Sequence, residues 1–411
     1  MWSILRSLGH GDSTMRQYHY RALLCPWALA SLIGFAATAA NVPIELNSNK
    51  PFLRVQVNQQ LCWFILDNGA SFNVLDGDRA AALGISSRGQ SEERGAGERT
   101  IPSATATGVS LALPGLVLPK QEIHVISLGP TVARSEGRAV DGLLGYDFFK
   151  RFVVEIDYGH QTVSLHEPRS YRYAGEGSRI PLKILREHGL VAATLMLGDG
   201  RKVPGSFLVD TAWRAALTLN APFVKAQRIE AGMEKRIEVT TGMGIGGPTR
   251  DAIGRIAGVQ LGPYSLSRPI VGLSQDRGGV SSEEGLSGIL GGEILRRFRV
   301  IFDYSREQMI LEPNTAFAEP YEFDMSGMFL VAMGDRLEKI QVYEVSQGSP
   351  AFEAGIRAGD VIEAINGVPA AKLTLDQVRS IFRRSAGKEH LLSIERGGKS
   401  FLVKIQLRRR V

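Results

Sequence analysis

Cysteine is nearly absent from this sequence, with only Cys25 and Cys62 among 411 residues. Cys25 falls in an apolar N-terminal stretch with the features of a removable targeting segment. Once that stretch is removed, no intramolecular disulfide is possible. Cys62 lies in a strand-like run and is interpreted as a small buried apolar residue.

An excess of charge of one sign is also lacking. The chain has 48 Lys and Arg against 42 Asp and Glu, and its basic residues are scattered apart from the terminal Arg408, Arg409 and Arg410. We therefore expect no nucleic-acid partner. The seven histidines show no metal-ligand spacing, and no G-x-S-x-G motif of a serine hydrolase occurs. We expect no metal.

Two glycine-rich matches to nucleotide-binding motifs also fail. The segment 242–247 reads "GMGIGG", but Pro248 and an alternating strand-like pattern follow it instead of the helix that a dinucleotide site needs. The "GKS" at 398–400 lacks the upstream glycine of a phosphate loop and is typical of a hairpin turn. The sequence therefore predicts no cofactor.

Glycine, in contrast, is abundant. The 46 glycines cluster in turn-like stretches between short apolar runs, which favours a β-rich fold. A chain of this length is expected to form two or three domains.

The N-terminus predicts export. A basic residue, Arg21, precedes an apolar run that ends in small residues at 37–39. This is the pattern of a signal peptide cleaved near Ala40, and Met15 is an alternative start that would shorten the leader. The alternative is an uncleaved anchor formed by residues 22–40. In either case we expect a periplasmic or secreted protein that meets a membrane only through this segment.

The strongest signal is an internal repeat. Residues 140–165 read "VDGLLGYDFFKRFVVEIDYGHQTVSL", and residues 286–311 read "LSGILGGEILRRFRVIFDYSREQMIL". The matching positions, 146 residues apart, are Gly142 and Gly288, Gly145 and Gly291, Phe152 and Phe298, Asp157 and Asp303, Tyr158 and Tyr304, and Leu165 and Leu311. The repeated Asp-Tyr pairs are interpreted as hairpin turns.

An apolar strand that ends on an acid also occurs once in each repeat. "FILD" ends at Asp67, and "FLVD" ends at Asp210. A buried unpaired carboxylate is costly, so each acid needs a partner. Because the repeat places both acids at the same structural position, we predict that they lie together.

On these residues the chain resembles the retropepsin-like aspartic proteases, with two halves fused as in the pepsin-type enzymes. The family motif of Asp-Thr/Ser-Gly is matched by 67–69 and 210–212, and its downstream apolar glycine element by 142–145 and 288–291. The resemblance implies a mainly β fold of two barrels related by a pseudo-two-fold axis, and cleavage of peptide or protein substrates. It implies these roles: Asp67 and Asp210 catalytic, Asn68, Gly69, Thr211 and Ala212 supporting the active-site loops, and Gly95, Gly97, Gly242, Gly244, Gly246 and Gly247 in flaps.

Three positions depart from that pattern. Asn68 stands where the family has Thr or Ser, and Ala212 where it has Gly. Arg214 follows the second motif, and we expect its charge to lower the pKa values of the two aspartates. These departures keep a second hypothesis open, a catalytically inactive scaffold that binds peptides.

The C-terminal region has a different pattern. The stretch 348–369 resembles the core of PDZ domains, small α+β modules that bind peptides. Ser349 is predicted to cap a short helix, and Thr374 and Gln377 to form the capping box of a longer one. The resemblance implies a possible partner, the C-terminus of a protein, and a peptide site formed by Gly327, Met328, Phe329, Leu330 and Val378. The alternative is a module that only packs on the protease.

The predicted boundaries follow these patterns. They are a signal peptide or anchor at 1–40, a first half at 41–172, a second half at 173–318 and a PDZ domain at 323–411.

Overall fold

A computed structural model describes residues 40–411 of the chain, and the predicted targeting segment lies almost wholly outside these described residues. The described part is mainly β with a small α+β region at its C-terminal end, as the sequence predicts. None of its helices is long and apolar enough to cross a bilayer.

The elements of the first repeat are short strands joined by turns, with three short helices. They are β1 (Ala40–Asn47), β2 (Lys50–Val57), β3 (Gln60–Leu66), β4 (Val74–Asp76), α1 (Gly77–Ala82), β5 (Arg88–Glu93), β6 (Ile101–Leu113), β7 (Leu116–Ile126), α2 (Gly129–Glu136), β8 (Gly142–Leu144), α3 (Tyr146–Phe149), β9 (Val153–Asp157) and β10 (Thr162–His166).

The second repeat has the same kind of elements in a closely similar order. They are β11 (Ser178–Pro181), β12 (Lys183–Leu185), β13 (His188–Met196), β14 (Lys202–Asp210), β15 (Leu217–Leu219), α4 (Ala221–Gln227), β16 (Arg236–Gly244), β17 (Gly247–Arg255), β18 (Gly258–Leu261), β19 (Tyr264–Ser267), β20 (Ile270–Ser274), β21 (Gly288–Gly291), α5 (Gly292–Leu295), β22 (Phe298–Asp303) and β23 (Gln308–Pro313).

The C-terminal region forms a separate sheet with its own apolar core. Its elements are β24 (Met328–Met333), β25 (Lys339–Val345), α6 (Pro350–Glu353), β26 (Val361–Ile365), β27 (Val368–Pro369), α7 (Leu375–Arg383), β28 (Glu389–Arg396) and β29 (Lys399–Gln406). Ser349 caps α6, and Thr374 and Gln377 form the capping box of α7, so both cap predictions are confirmed.

The same parallel strand pairing occurs once in each repeat. Strand β3 pairs in parallel with β8, with Phe64 opposite Gly142, and β14 pairs in parallel with β21, with Phe207 opposite Gly288. Glycine is needed here because a Cβ on Gly142 would lie 2.3 Å from the carbonyl oxygen of Val74. These two parallel pairings fix the ends of β3 and β14, where the two acids lie.

A six-stranded antiparallel segment of a 13-stranded sheet joins the repeats, in the order β11-β23-β22-β9-β10-β1. Its central pair is β9 of the first repeat and β22 of the second, with Ile156 opposite Val300 and Val154 opposite Phe302. One large apolar core runs through both repeats, and Cys62 is buried in it as a free thiol.

Candidate active site

The two predicted acids lie in matching turns. After β3, the main-chain N–H of Gly69 donates to Oδ1 of Asp67 over 3.0 Å, and after β14 that of Ala212 donates to Oδ1 of Asp210 over 2.7 Å. Each carboxylate thus accepts a hydrogen bond from the residue two positions later. Both side chains line one cavity of about 270 Å³.

Reciprocal hydrogen bonds join the two turns. The main-chain N–H of Thr211 donates to Oδ1 of Asn68 over 2.8 Å, and that of Asn68 donates to Oγ1 of Thr211 over 3.2 Å. The Thr211 hydroxyl donates in turn to the carbonyl of Leu66 over 2.6 Å. Asn68 and Thr211 are fully buried, so these bonds are shielded from water. The longer side chain of Asn68 therefore still accepts a hydrogen bond from the turn of the other half.

The turns also approach each other closely. A Cβ placed on Gly69 would lie 2.6 Å from Cγ of Asp210, so this position tolerates only glycine. Ala212, the equivalent residue, does not adopt a positive φ angle, and its methyl group therefore requires no strained backbone. The two halves thus differ at this position in side-chain volume and not in backbone strain.

The pKa values of both aspartates are raised. Burial is the largest cause for each, and the charge of Asp210 further raises the pKa of Asp67. The nearby Lys50 ammonium opposes the shift at both residues without reversing it. The pair is therefore held where one proton is readily retained between two carboxylates.

The prediction that Arg214 lowers these pKa values is wrong. Its guanidinium Nη2 lies 3.5 Å from Oε1 of Glu136 and donates to Oγ of Ser135 over 2.9 Å. Arg214 thus pairs with a carboxylate at the end of α2, and the cation that acts on the aspartates is Lys50.

Lys50 and Glu136 are site residues that the sequence did not reveal. Nζ of Lys50 lies 2.9 Å from Oε1 of Glu136, whose side chain is 1% exposed, and both residues line the cavity of the aspartates. Burial opposes ionisation of Glu136, but Lys50, Arg214 and Arg379 outweigh it and lower its pKa to about 2. These cations come from distant parts of the chain, so no local motif signals the cluster.

Two buried tyrosines also lie near the aspartates. Nδ2 of Asn68 donates to the hydroxyl of Tyr304 over 3.4 Å. The hydroxyl of Tyr158, the equivalent residue, has no hydrogen-bond partner among the described residues. Burial and then the charge of Asp210 raise the pKa of Tyr158. The tyrosines of the repeated Asp-Tyr pairs thus lie near the aspartates, beyond the turns that the sequence predicted. Their repetition is a sequence signal that could have indicated this.

The predicted flap glycines bound the same cavity. Gly95, Gly242 and Gly244 line it, and the tips of the two flaps are joined by a parallel bridge between Gly97 and Gly246. The main-chain N–H of Gly246 donates to the carbonyl of Ala96 over 2.8 Å. Gly247, at a φ of 113°, begins β17 and pairs with Gly244 across the tight turn at 245–246. The segment "GMGIGG" therefore forms the tip of the hairpin of β16 and β17.

The predicted peptide-binding residues of the C-terminal region lie at the start of β24 and in α7. Val378 is fully buried in that region's core. The main-chain N–H of Gly327 donates to Oδ1 of Asp324 over 2.6 Å, and that of Met328 donates to Oγ of Ser326 over 3.1 Å. The carbonyl of Leu330 accepts from Nη2 of Arg379 over 2.9 Å. Phe329 packs its ring edge against Tyr343. The N–H groups of Gly327 and Met328 and the carbonyl of Leu330 therefore already have hydrogen-bond partners.

Within residues 40–411, no group of three or more His, Cys, Asp or Glu side chains is arranged to hold a metal ion. The chemistry available at the site is that of paired carboxylates, a nearby ammonium and hydrogen-bonding main chain.

Comparison with known proteins finds two family models that match parts of this chain. Residues 53–148 match the family model described as aspartyl protease, and residues 341–396 match that of the PDZ domain. A curated protein of Lactococcus lactis subsp. lactis (strain IL1403), which carries the name zinc metalloprotease, is 44% identical over 57 residues, or 14% of this chain. The chain spans only 13% of the length of that relative.

Among solved structures, an aspartic proteinase from Irpex lacteus aligns over 69% of this chain and 99% of its own, with 14% identity and a TM-score of 0.45. The aspartyl-protease model matches residues of the first repeat and the PDZ model matches residues of the C-terminal sheet, so the chain contains a retropepsin-like aspartyl-protease region and a C-terminal PDZ domain.

Proposed function

We propose that the chain is an aspartic endopeptidase that hydrolyses peptide bonds with a water activated between Asp67 and Asp210. The observation that carries this proposal is the joining of the two acid turns by the reciprocal bonds of Asn68 and Thr211. Those bonds hold two carboxylates with raised pKa values at the floor of one cavity.

The proposed reaction needs one proton shared by the pair. The ionised carboxylate removes a proton from the water as its oxygen attacks the peptide carbonyl carbon. The protonated carboxyl donates its proton to the carbonyl oxygen, and a neutral tetrahedral intermediate results. The carboxyl that took the proton of the water then donates it to the amide nitrogen, while the other carboxylate removes a proton from one hydroxyl of the intermediate. The C–N bond breaks as the carbonyl re-forms, and the pair again holds one proton. No covalent enzyme intermediate is formed.

The flaps suit an extended peptide as substrate. Their tips meet at Gly97 and Gly246 and close one side of the cavity, so a peptide enters when this bridge opens. Closure behind the substrate would exclude bulk water and strengthen the electrostatic effect of the carboxylates.

The proposal is tested by incubating the protein with an unbiased peptide library from acid to neutral pH. Asp67→Asn and Asp210→Asn serve as matched negative variants, since asparagine keeps the shape of the side chain without the charge. Cleavage by the wild type alone supports the proposal. Equal cleavage by either variant would contradict it.

A second candidate is a peptide-binding scaffold without catalysis. The observation that favours it is Ala212, which places a methyl group where the first half has Gly69 against the opposing carboxylate. Tight peptide binding by a wild type that cleaves no library member at any pH would support this candidate.

The proposal extends to the PDZ domain and to location. We propose that this domain assists substrate or partner binding, with a protein C-terminus as one ligand. A peptide that pairs with β24 would have to displace Arg379 from the carbonyl of Leu330 and Arg134 from that of Ala332.

We also propose export to the periplasm or the exterior, which is supported by the N-terminal sequence alone.

A further inference from the structure

The hairpin between β1 and β2 reaches from the core of the first half to the cavity of the aspartates. Asn47 pairs with Lys50 across a two-residue turn, in which Ser48 and Asn49 have φ angles of 52° and 66°. Positive φ at both central residues is typical of a type I′ turn, which fits the twist of a hairpin. We name residues 47–50 the tip.

The PDZ domain binds this tip directly. Oδ1 of Asp376, in the first turn of α7, accepts from the main-chain N–H of Ser48 over 3.0 Å and from its hydroxyl over 3.1 Å. Nη1 of Arg379, one turn later, donates to the same hydroxyl over 3.3 Å. Ser48 is 4% exposed and Arg379 is 7% exposed, so this is a buried contact.

The second half of the protease and the end of α2 also bind the tip. Nδ2 of Asn49 donates to the carbonyl of Arg214 and to Oε2 of Glu293, each over 2.8 Å, in the second half. Nδ2 of Asn47 donates to the carbonyl of Glu136 over 3.0 Å, at the end of α2. Three segments therefore fix four consecutive residues.

The last residue of the tip is the cation of the active site. Lys50 lines the cavity of the aspartates and is paired with the buried Glu136. The PDZ domain also packs on α2 itself, because a Cβ on Gly137 would lie 2.5 Å from Cβ of Leu375 in α7. The PDZ domain thus supports both members of the pair, Lys50 through the tip and Glu136 through the end of α2.

We propose that the PDZ domain positions Lys50 beside Asp67 and Asp210 through the tip, so that this domain is a structural part of the active site. Lys50 is then a positioning residue that sets the electrostatic environment of the aspartates. The inference rests on the proposed function, because it assigns a role in the reaction at the same site.

Several charged or titratable groups face Lys50 and the aspartates, and the test must account for them. They are Glu136 at the end of α2, Tyr158 and Tyr304 near the aspartates, Glu93, Arg94, Asp251, His188 and Glu283 in the cavity, Arg214 and Glu293 in the second half, and Asp376, Arg379 and Arg383 in α7.

The test uses the full chain with Lys50→Met and Asp376→Ala, which removes the oxygen that accepts both bonds from Ser48, and measures kcat/KM against pH. Lys50 lowers the pKa values of the aspartates, so its loss should move the alkaline limb of the profile to higher pH. Asp376→Ala also removes a negative charge, which by itself would move that limb to lower pH. If Asp376 acts by positioning Lys50, the limb moves to higher pH instead.

We expect Asp376→Ala to lower kcat/KM at the optimum by roughly tenfold or more, because small displacements near a reacting centre are costly. Matched controls are Lys183→Met in β12 and Arg384→Met directly after α7, both at exposed positions. Both controls should keep the profile of the wild type. Ser48→Ala is a milder variant, since it removes the hydroxyl that contacts Asp376 and Arg379 and leaves the domain intact.

A second readout is the titration of the aspartate carboxyl groups by carbon NMR in the same proteins. An unchanged profile and titration in Lys50→Met, or a shift to lower pH in folded Asp376→Ala and none in Ser48→Ala, would overturn the inference. If the wild type cleaves nothing but the titration shifts as expected, the proposed function fails and the positioning role stands.

Discussion

Asn68 and Thr211, which lie 143 residues apart, each donate a main-chain N–H to the side chain of the other. This exchange joins the two halves directly beneath the carboxylates and makes the geometry of the pair depend on both turns. The hydroxyl of Thr211 also bonds the carbonyl of Leu66, so one side chain closes two contacts across the halves.

Thr211→Ala should therefore destabilise the protein and the active site together. It leaves the buried N–H of Asn68 and the carbonyl of Leu66 without a partner, at a cost of about 1–3 kcal/mol for each unsatisfied group. Thr211→Ser keeps the hydroxyl and is the matched control. Urea unfolding and kcat/KM measure the two effects, and a Thr211→Ala variant as stable as Thr211→Ser would refute this role.

Gly69→Ala should abolish peptide cleavage, since the added methyl would lie 2.6 Å from Cγ of Asp210. The equivalent change in the other half, Ala212→Gly, should keep or raise activity because it removes a methyl group and strains nothing. Cleavage of one fluorogenic peptide by both variants measures this asymmetry. Full activity of Gly69→Ala would show that the two turns can separate.

The aspartates should act as a unit in catalysis. Asp67→Asn and Asp210→Asn should each abolish cleavage to a similar extent, and the double variant should be hardly worse. The wild type should show a bell-shaped dependence of kcat/KM on pH, with the alkaline limb marking loss of the shared proton. Because both pKa values are raised, this limb should lie above the range of ordinary aspartates. Independent, additive losses would contradict a shared proton.

The same pair should reduce stability as pH rises. Its pKa values are higher in the folded than in the unfolded chain, so its contribution to the free energy of unfolding is full below the ordinary aspartate pKa. That contribution is lost as pH rises through the raised values. Asp210→Asn should therefore raise Tm at neutral pH, with a difference that shrinks towards acid pH. Scanning calorimetry at several pH values measures it.

The control for that measurement is Asp199→Asn. Asp199 is exposed, and its pKa is lowered by hydrogen bonds from Arg201, so the effect of its replacement should have the opposite pH dependence. The same trend in both variants would indicate a general charge effect and not the active-site pair.

Export should be visible at the N-terminus of the mature protein. We expect it near Ala40 or Asn41, because the small residues at 37–39 form a cleavage pattern. N-terminal sequencing after expression with the complete leader measures it. Retention of residues 15–39 would support an anchor instead.

The sequence predicted the parts of the site that the repeat encodes. Asp67, Asp210 and the glycine elements recur at nearly constant spacing, so the approach of the two turns followed from symmetry. Symmetry, however, gives no information about residues present in one half only.

Lys50, Glu136 and Arg214 belong to that second class. Their pairing depends on a hairpin tip, the end of α2 and the PDZ domain meeting in space, and the local sequence at Lys50 predicts only a turn. The expectation for Arg214 was wrong because its guanidinium pairs with Glu136, although Arg214 lines the same cavity as the aspartates. A buried carboxylate at Glu136 attracts that arginine instead.

The central pair of the joining sheet has a self-complementary register. Val154 pairs with Phe302 and Ile156 with Val300, while the repeat makes Val300 the equivalent of Val154 and Phe302 that of Ile156. Each strand thus meets its counterpart as the two subunits of an isologous dimer do. A first half expressed alone would present β9 as an uncovered apolar edge, ready to pair with a second copy of itself. Fusion of the halves therefore keeps that edge from joining separate molecules.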